Sequence, residues 1–300
     1  MVGDVRIAIS GSTGLIGTAL RARLGAEGHD VVAMVRRDPA PGDISWDPKA
    51  GRLDPAELAG VGAVVNLAGA GIGDHRWSDE YKREIMESRT GGTNLISEAI
   101  AARDDTPRVL LSGSAIGVYG DRGDEELSES SATGDGFLAD VVRAWEASTT
   151  AAEEAGARVV HLRSGIVLSA DGGALAKMLP LFKLGVGGRF GSGRQWQSWI
   201  SIDDEVGAIV HLLDSALDGA VNLTAPVPVR NSEFAKTLGD VLRRPSIVPV
   251  PAFGPKLLLG SELAEALLFE SQRITTSALT ADGFTFAHAE LEPALRVLLR

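Results

Sequence analysis

The segment Val5-Arg6-Ile7-Ala8-Ile9-Ser10 runs directly into Gly11-Ser12-Thr13-Gly14-Leu15-Ile16-Gly17. An apolar strand followed by glycines three residues apart, then by a helical pattern, is what the pyrophosphate of a dinucleotide needs. Gly11 permits a tight turn, Gly14 lets backbone N–H groups approach the phosphates with no Cβ between, and Gly17 allows close helix–sheet packing. Ser12, Thr13, Leu15 and Ile16 complete the expected phosphate loop. A glycine-rich strand–helix turn without a ligand would look similar, but a second strand ending at Val35 favours a dinucleotide.

The end of that second strand should select the cofactor. NAD sites place an acid there to hold the ribose hydroxyls; this chain has Arg36 and Arg37. A guanidinium pairs bidentately with phosphate, so Arg36, with Arg37 beside it, predicts NADP(H). Solvated arginines in a surface loop are the bland alternative. A further apolar run, Ala63–Leu67, ends in the small residues Ala68 and Gly69, which would let a flat cofactor pass close to the backbone at Leu67, Ala68 and Gly69. Core packing alone would select similar residues.

Periodicity supplies the elements that position these residues. Val5–Ser10, a helix from about Leu15 to Glu27, Asp30–Val35, Ala63–Leu67, a helix from about Asp79 to Ala102, Val109–Ser112, a helix over Val141–Ala155 and the strand Arg158–Leu162 alternate in type. This alternation predicts an α/β fold with a Rossmann-type doubly wound parallel sheet, spanning residues 1–165. Beyond Arg163, glycine and proline become frequent and the alternation weakens. Helical patterns at Val206–Leu217, Ser232–Leu242 and Pro255–Leu268, with a strand-like Ala220–Leu223, predict a smaller α+β substrate lobe over residues 166–300. Segments at about 200–225 are expected to return to the first lobe.

Composition removes several function classes. With 40 acidic against 29 basic side chains, the net charge of −11 repels phosphate backbones, and Arg36–Arg37 and Arg243–Arg244 are too short to make a basic patch. Neither a nucleic-acid partner nor a membrane surface is expected. The absence of cysteine excludes disulfides, thiolate nucleophiles and iron–sulfur clusters. The five histidines have no metal-ligand spacing, so no metal site is expected; His75 alone is placed to approach a cofactor. No apolar stretch approaches the roughly 18 residues of a membrane span, and the amino terminus lacks a basic start with an apolar stretch. A cytoplasmic protein is the default expectation. No Gly-x-Ser-x-Gly elbow or Walker-type loop supports a hydrolase or NTPase.

Thr13-Gly14-Leu15-Ile16-Gly17, Asn66-Leu67-Ala68-Gly69 and Leu111-Ser112-Gly113-Ser114-Ala115-Ile116-Gly117-Val118-Tyr119-Gly120 stand in the order found in extended short-chain dehydrogenases/reductases, relatives of sugar-nucleotide epimerases and dehydratases. More narrowly, Arg76-Trp77, Lys82, Ser88-Arg89-Thr90-Gly91-Gly92-Thr93, the run Gly187–Ile200, Asn222–Pro226, Arg244–Pro251 and Gly283-Phe284 resemble an epimerase-like branch labelled cell-division-inhibitor-related. That branch carries a carboxy-terminal domain of unknown function, here at about residues 248–300. The resemblance covers essentially the whole chain. It implies a Rossmann-type cofactor lobe that includes Ser112, a substrate lobe, and Ser114 as the catalytic hydroxyl, for which a strand-end hydroxyl satisfying local backbone is the alternative.

One departure bears on mechanism. Extended members carry a Tyr-x-x-x-Lys pair, in which lysine lowers the phenol's pKa and the phenol moves the proton. This chain has only Tyr81 and Tyr119, followed four residues on by Ile85 and Gly123. By position the pair would fall near Phe137-Leu138-Ala139-Asp140-Val141-Val142, which offers neither phenol nor amine. Tyr119, at the sheet's carboxyl edge, is the alternative candidate for a proton donor beside Ser114, and otherwise a positioning or stacking residue. Arg89 and Lys82, seven residues apart on one helical face, are candidates for an anion-binding substrate site, and Arg89 equally for the nicotinamide-side phosphate of the cofactor. An ion pair of Arg89 with Glu84 or Glu87 and a solvated Lys82 are the alternatives. Arg194 and Trp196, in a glycine-flanked loop, could clamp a substrate. Trp199 is expected in the core and Asp203–Asp204 as a helix cap.

These residues describe an NADP(H)-dependent, epimerase-like oxidoreductase or isomerase that transfers hydride on a small hydroxyl or carbonyl substrate. Loss of the Tyr-x-x-x-Lys pair keeps open a second class, a non-catalytic NADP(H)-binding redox sensor or interaction protein. The resemblance also suggests a homodimer built on the helices at about Asp79–Ala102 and Val141–Ala155.

Overall fold

The computed structural model describes residues 5–37, 39–102, 105 and 107–300. In chain order the elements are β1 (Arg6–Ser10), α1 (Leu15–Ala26), β2 (Asp30–Val35), β3 (Ile44–Asp47), β4 (Arg52–Leu53), β5 (Ala63–Asn66), α2 (Asp79–Ala101), β6 (Val109–Ala115) and β7 (Glu126–Leu127). There follow α3 (Phe137–Ala147), α4 (Thr150–Glu154), β8 (Arg158–Ser164), β9 (Ile166–Leu168), α5 (Gly173–Lys183), β10 (Trp196–Gln197), β11 (Trp199–Ser201), α6 (Ile202–Asp214), β12 (Gly219–Leu223) and β13 (Val229–Arg230). The chain ends in α7 (Asn231–Leu242), α8 (Phe253–Leu259), α9 (Ser261–Ala264), β14 (Arg273–Ile274), α10 (Ser277–Ala281) and α11 (Leu291–Leu298).

Eight strands form one sheet in the order β12-β8-β6-β5-β1-β2-β3-β4, parallel except for the terminal β3–β4 pair. This is a Rossmann-like α/β sheet. The strand alternation sorts its two faces. Ile7 and Ile9 join Leu20 and Leu24 of α1 and Ile209 and Leu212 of α6 in one core, while Ala8 joins Ile96 and Ile100 of α2 in another. Strand order reverses between β1 and β5, so their carboxyl ends diverge and open a crevice, the usual place for a ligand in such sheets.

Several elements depart from the periodicity reading for local reasons. The helix expected over Val141–Ala155 starts earlier, at Phe137, and breaks around Ser148 and Thr149, whose hydroxyls bond back to Ala144 O and Glu146 O. The helix expected over Pro255–Leu268 is cut at Gly260, whose φ of +92° cannot continue a helix. The cap of α6 is Ser201, whose Oγ accepts from Asp204 N at 3.0 Å. Asp204 instead is buried and accepts from Ala287 N and His288 N. Trp199 lies in the core as expected, fully buried in a further apolar cluster with Leu168, Phe182 and Phe234.

A buried polar network ties four strands and helices together at the carboxyl edge. Arg163 of β8 meets Glu146 of α3 in a bidentate pair, Nε to Oε1 at 2.8 Å and Nη2 to Oε2 at 2.9 Å. Ser114 of β6 donates to Glu146 Oε1 at 2.6 Å. Arg163 Nη1 donates to Tyr119 Oη at 2.9 Å, and Tyr119 donates in turn to Asn222 Oδ1 of β12 at 2.8 Å. Burial alone would raise the Glu146 pKa, but hydrogen bonds from Arg163 and Ser114 outweigh it and hold the carboxyl below its ordinary value.

Two outcomes follow for folding. Glu146→Gln leaves a buried guanidinium without its counter-charge and should cost about 3 kcal/mol in urea unfolding at neutral pH. Because the folded-state pKa of Glu146 is depressed, this contribution is present above the unfolded glutamate range and lost as pH falls through the folded value. The gap between wild type and variant therefore narrows in acid. Gly17→Ala would drive a Cβ into Gly11 O and the Ser12 backbone, with an expected loss of about 1–3 kcal/mol in the same assay.

Candidate functional site

The crevice between β1 and β5 is a groove of about 1280 Å³. Gly11, Ser12, Thr13 and Gly14 form one wall, Met34 to Arg37 the rim, and Leu67 to Gly71 the other wall. Gly11 has φ +66°, and a Cβ there would stand 2.7 Å from the Leu67 carbonyl carbon, so the two loops touch through backbone alone. Gly14 N closes the turn onto Gly11 O at 3.0 Å. Buried Ser10 fixes the opposite loop: its Oγ accepts from Leu67 N and Ala68 N and donates to Asn66 Oδ1. No side chain caps α1 and no acid occupies its first turn, which leaves the positive end of the helix for an anion.

Arg36 and Arg37 are both exposed at the groove rim, and no acidic side chain among the described residues engages them. Of the remaining phosphate-loop residues, Leu15, Ile16 and Gly17 lie behind the groove surface. Leu15 packs toward Gly172 and Gly173, Ile16 against the core, and Gly17 against Gly11. Ser112 does not reach the groove either, because it is fully buried in β6 opposite Asn66. Trp46 of β3 lines the groove and was not anticipated, since β3 is too short to stand out in the sequence. His75 lines it too, edge-on to Tyr81 at 5.0 Å.

A second, smaller cavity of about 170 Å³ lies among α2, α3 and the carboxy-terminal segment. Leu138, Val141 and Val142 wall one side, at the stretch where a Tyr-x-x-x-Lys pair was expected. Arg89 of α2 enters from another side. It is buried, its Nη1 donates to Ala70 O and Ile85 O, and its guanidinium lies 5.2 Å from the Trp145 ring. A Cβ on Gly69 would meet its Cζ at 3.2 Å, so Arg89 stands where groove and cavity approach each other. Neither Glu84 nor Glu87 pairs with it. Burial lowers its pKa to about 10, which leaves it charged at neutral pH.

The other candidates are dispersed. Trp196 lines the cavity, held between Arg230 at 4.1 Å and Arg273 at 5.1 Å with Nε1 on Asp124 Oδ1. Arg194 does not join it in a clamp. Its side chain is exposed outside the cavity, while its backbone bonds to Ser192 and Arg230. Lys82 faces neither space: it pairs with Glu262 and lies over the rings of Trp77 and Phe137, tying α2 to the carboxy-terminal segment.

The catalytic expectation needs correction. Tyr119 is fully buried with its hydroxyl between Arg163 and Asn222, and burial raises its pKa despite those partners. It lines neither the groove nor the cavity. Ser114 is also buried and spends its proton on Glu146. Tyr81 lines the groove, but its hydroxyl is bonded to Gly71 O. The acid that does line the cavity is Glu270, which sequence reasoning passed over. Its only signal was a lone carboxylate after the apolar run Ala266-Leu267-Leu268-Phe269.

Residues 7–223 match the NAD dependent epimerase/dehydratase family, and residues 250–298 match DUF1731, a domain of unknown function. An epimerase family protein of Mycobacterium bovis is 43% identical over 291 residues, covering 96% of each chain. A crystal structure of the human epimerase family protein SDR39U1, isoform 2, with NADPH is 34% identical and superposes with a TM-score of 0.91, covering 98% of this chain and 99% of that one. A nucleoside-diphosphate sugar epimerase from Corynebacterium glutamicum is 36% identical with a TM-score of 0.81, covering 99% of this chain but 58% of that longer one. The matched span holds the whole eight-stranded sheet and both walls of the groove, and on that ground the chain belongs to the NAD dependent epimerase/dehydratase family.

Proposed function

We propose that the chain is an NADP(H)-dependent oxidoreductase of the epimerase type, acting on a small hydroxyl or carbonyl compound that carries an anionic group. The observation that supports this most is the adjacency of a dinucleotide-shaped groove, with arginines at its rim, to an enclosed cavity that holds a buried, unpaired guanidinium. NADPH accompanies the human relative, and the residues here suit the same group. Gly11 to Gly14 and the open end of α1 would take the pyrophosphate, Arg36 and Arg37 the 2′-phosphate, and Leu67 to Gly69 the flat face. A nicotinamide bound here supplies or accepts a hydride.

The chain's own residues do the rest. Leu138, Val141, Val142 and Trp145 exclude water and orient a small substrate. Arg89 holds its anionic group, because a desolvated cation with no carboxylate of its own gains most from an incoming anion. The size of the cavity favours a molecule much smaller than a sugar nucleotide. A purely sensory role would leave a closed pocket with an unpaired arginine and an unpaired acid without a use.

Calorimetric titration with NADPH and NADH tests the cofactor. NADPH should bind at least about tenfold tighter, equivalent to about 1.4 kcal/mol, and Arg36→Ala should erase the preference. Equal affinities in the wild type would overturn the assignment. Arg89→Met should leave NADPH affinity within about twofold while raising the KM for an anionic substrate by about tenfold or more, as loss of one charge-assisted hydrogen bond implies.

A further inference from the structure

We propose that Glu270, contributed by the carboxy-terminal segment, carries the proton in the inner cavity, the post a Tyr-x-x-x-Lys phenol fills in extended short-chain dehydrogenases/reductases. This rests on the reading of the cavity as the reaction site. Glu270 lines that cavity together with Leu138, Val141 and Val142, at the stretch where the missing pair was expected. Among the described residues its carboxyl has no hydrogen-bond or ion-pair partner, whereas Ser114, Tyr81 and Tyr119 have all spent their hydroxyls elsewhere.

The backbone is pinned on both sides of Glu270, before it by Gln195 Nε2, which donates to Leu268 O at 2.7 Å, and after it at Ser271 and Gln272. Ser271 N donates to Asp121 Oδ1, Ser271 Oγ donates to Gly123 O, and Gln272 N and Nε2 donate to Trp196 O and Gly120 O. β14 then pairs in parallel with β7. A carboxyl on so short a tether between fixed points is a positioned group and not a mobile surface acid.

Its electrostatic surroundings suit the task. Burial, then the charges of Asp121 and Glu265, push its pKa up to about 7. Among nearby cations, Lys256 is paired with Glu265 and Arg273 with Glu126, which leaves Arg89 as the unpaired charge lining the same space. A carboxyl poised near neutrality can both give and take a proton.

In reduction, the substrate's C=O carbon gains a C–H bond, with both electrons coming as hydride from the reduced nicotinamide dinucleotide. The oxygen takes the Glu270 proton through the former π pair, leaving an alcohol and the Glu270 carboxylate. In oxidation the carboxylate removes the hydroxyl proton while the C–H pair leaves as hydride to the oxidised dinucleotide. Proton exchange with bulk solvent then reprotonates the carboxylate after reduction and deprotonates the carboxyl after oxidation.

The test compares wild type, Glu270→Gln and Glu270→Asp, each loaded with NADPH. Infrared pH-difference spectra should show a carboxyl titrating near neutrality in the wild type that is absent from Glu270→Gln. With pyruvate and glyoxylate as probes, Glu270→Gln should lower kcat by about 100-fold or more with NADPH affinity within about twofold, and Glu270→Asp should recover part of the loss. Glu270→Gln turning over within about threefold of wild type, or an unchanged infrared titration, would overturn the role of Glu270 alone. Failure of the wild type to bind NADPH would instead overturn the cofactor reading beneath it.

Discussion

The pairing of Arg163 with Glu146 constrains everything at the carboxyl edge of the sheet. Two charges taken out of water are tolerable only if each finds its full set of partners, because the low dielectric that strengthens a satisfied bond also penalises a missing one. The chain meets that demand with Ser114, Tyr119 and Asn222, drawn from β6, the turn after it and β12. Those groups are thereby removed from chemistry. The cavity is left with apolar walls, the polar side chains of Ser164, Gln197, Ser198 and Gln272, one buried arginine and one acid, and its function must be built from these.

A second consequence concerns charge. The molecule as a whole is strongly acidic, with a net charge of −11. Arg36 and Arg37 at the groove rim and Arg89 within are therefore local exceptions, each free of an acidic partner among the described residues. Long-range repulsion of polyanions and short-range attraction of a phosphate or carboxylate coexist, since the first is screened over about 10 Å and the second acts at contact. The carboxy-terminal segment completes the arrangement. Lys82–Glu262 and the β7–β14 pair dock it against α2 and β7, and the Arg230–Trp196–Arg273 stack docks it against β10 and β13.

What the sequence disclosed and what it hid follow from contact range. The turn from Ser10 to Gly17 is legible because its geometry is set by neighbours within a few residues, and Arg36 because a strand's end fixes where the next residue stands. Trp199 is legible from its apolar surroundings. The fate of Tyr119 was not, since its partners Arg163 and Asn222 lie 44 and 103 residues away. Lys82 reads as a free cation until Glu262, 180 residues on, is folded against it. Glu270 is silent for the same reason: only the tertiary fold carries it to the cavity wall opposite α3. The short β3–β4 edge and the breaks at Ser148–Thr149 and Gly260 were obscured by weak local signals.

The most direct measurement is a crystal structure of the protein with NADPH bound. It should place the adenosine 2′-phosphate on the Arg36 guanidinium, the pyrophosphate on the amides between Gly11 and Gly14, and the nicotinamide ring at the opening of the inner cavity, between Arg89 and the wall formed by Leu138 and Val141. A nicotinamide turned away from that cavity, or a 2′-phosphate standing free in solvent, would contradict the assignment of groove and cavity as one reaction site.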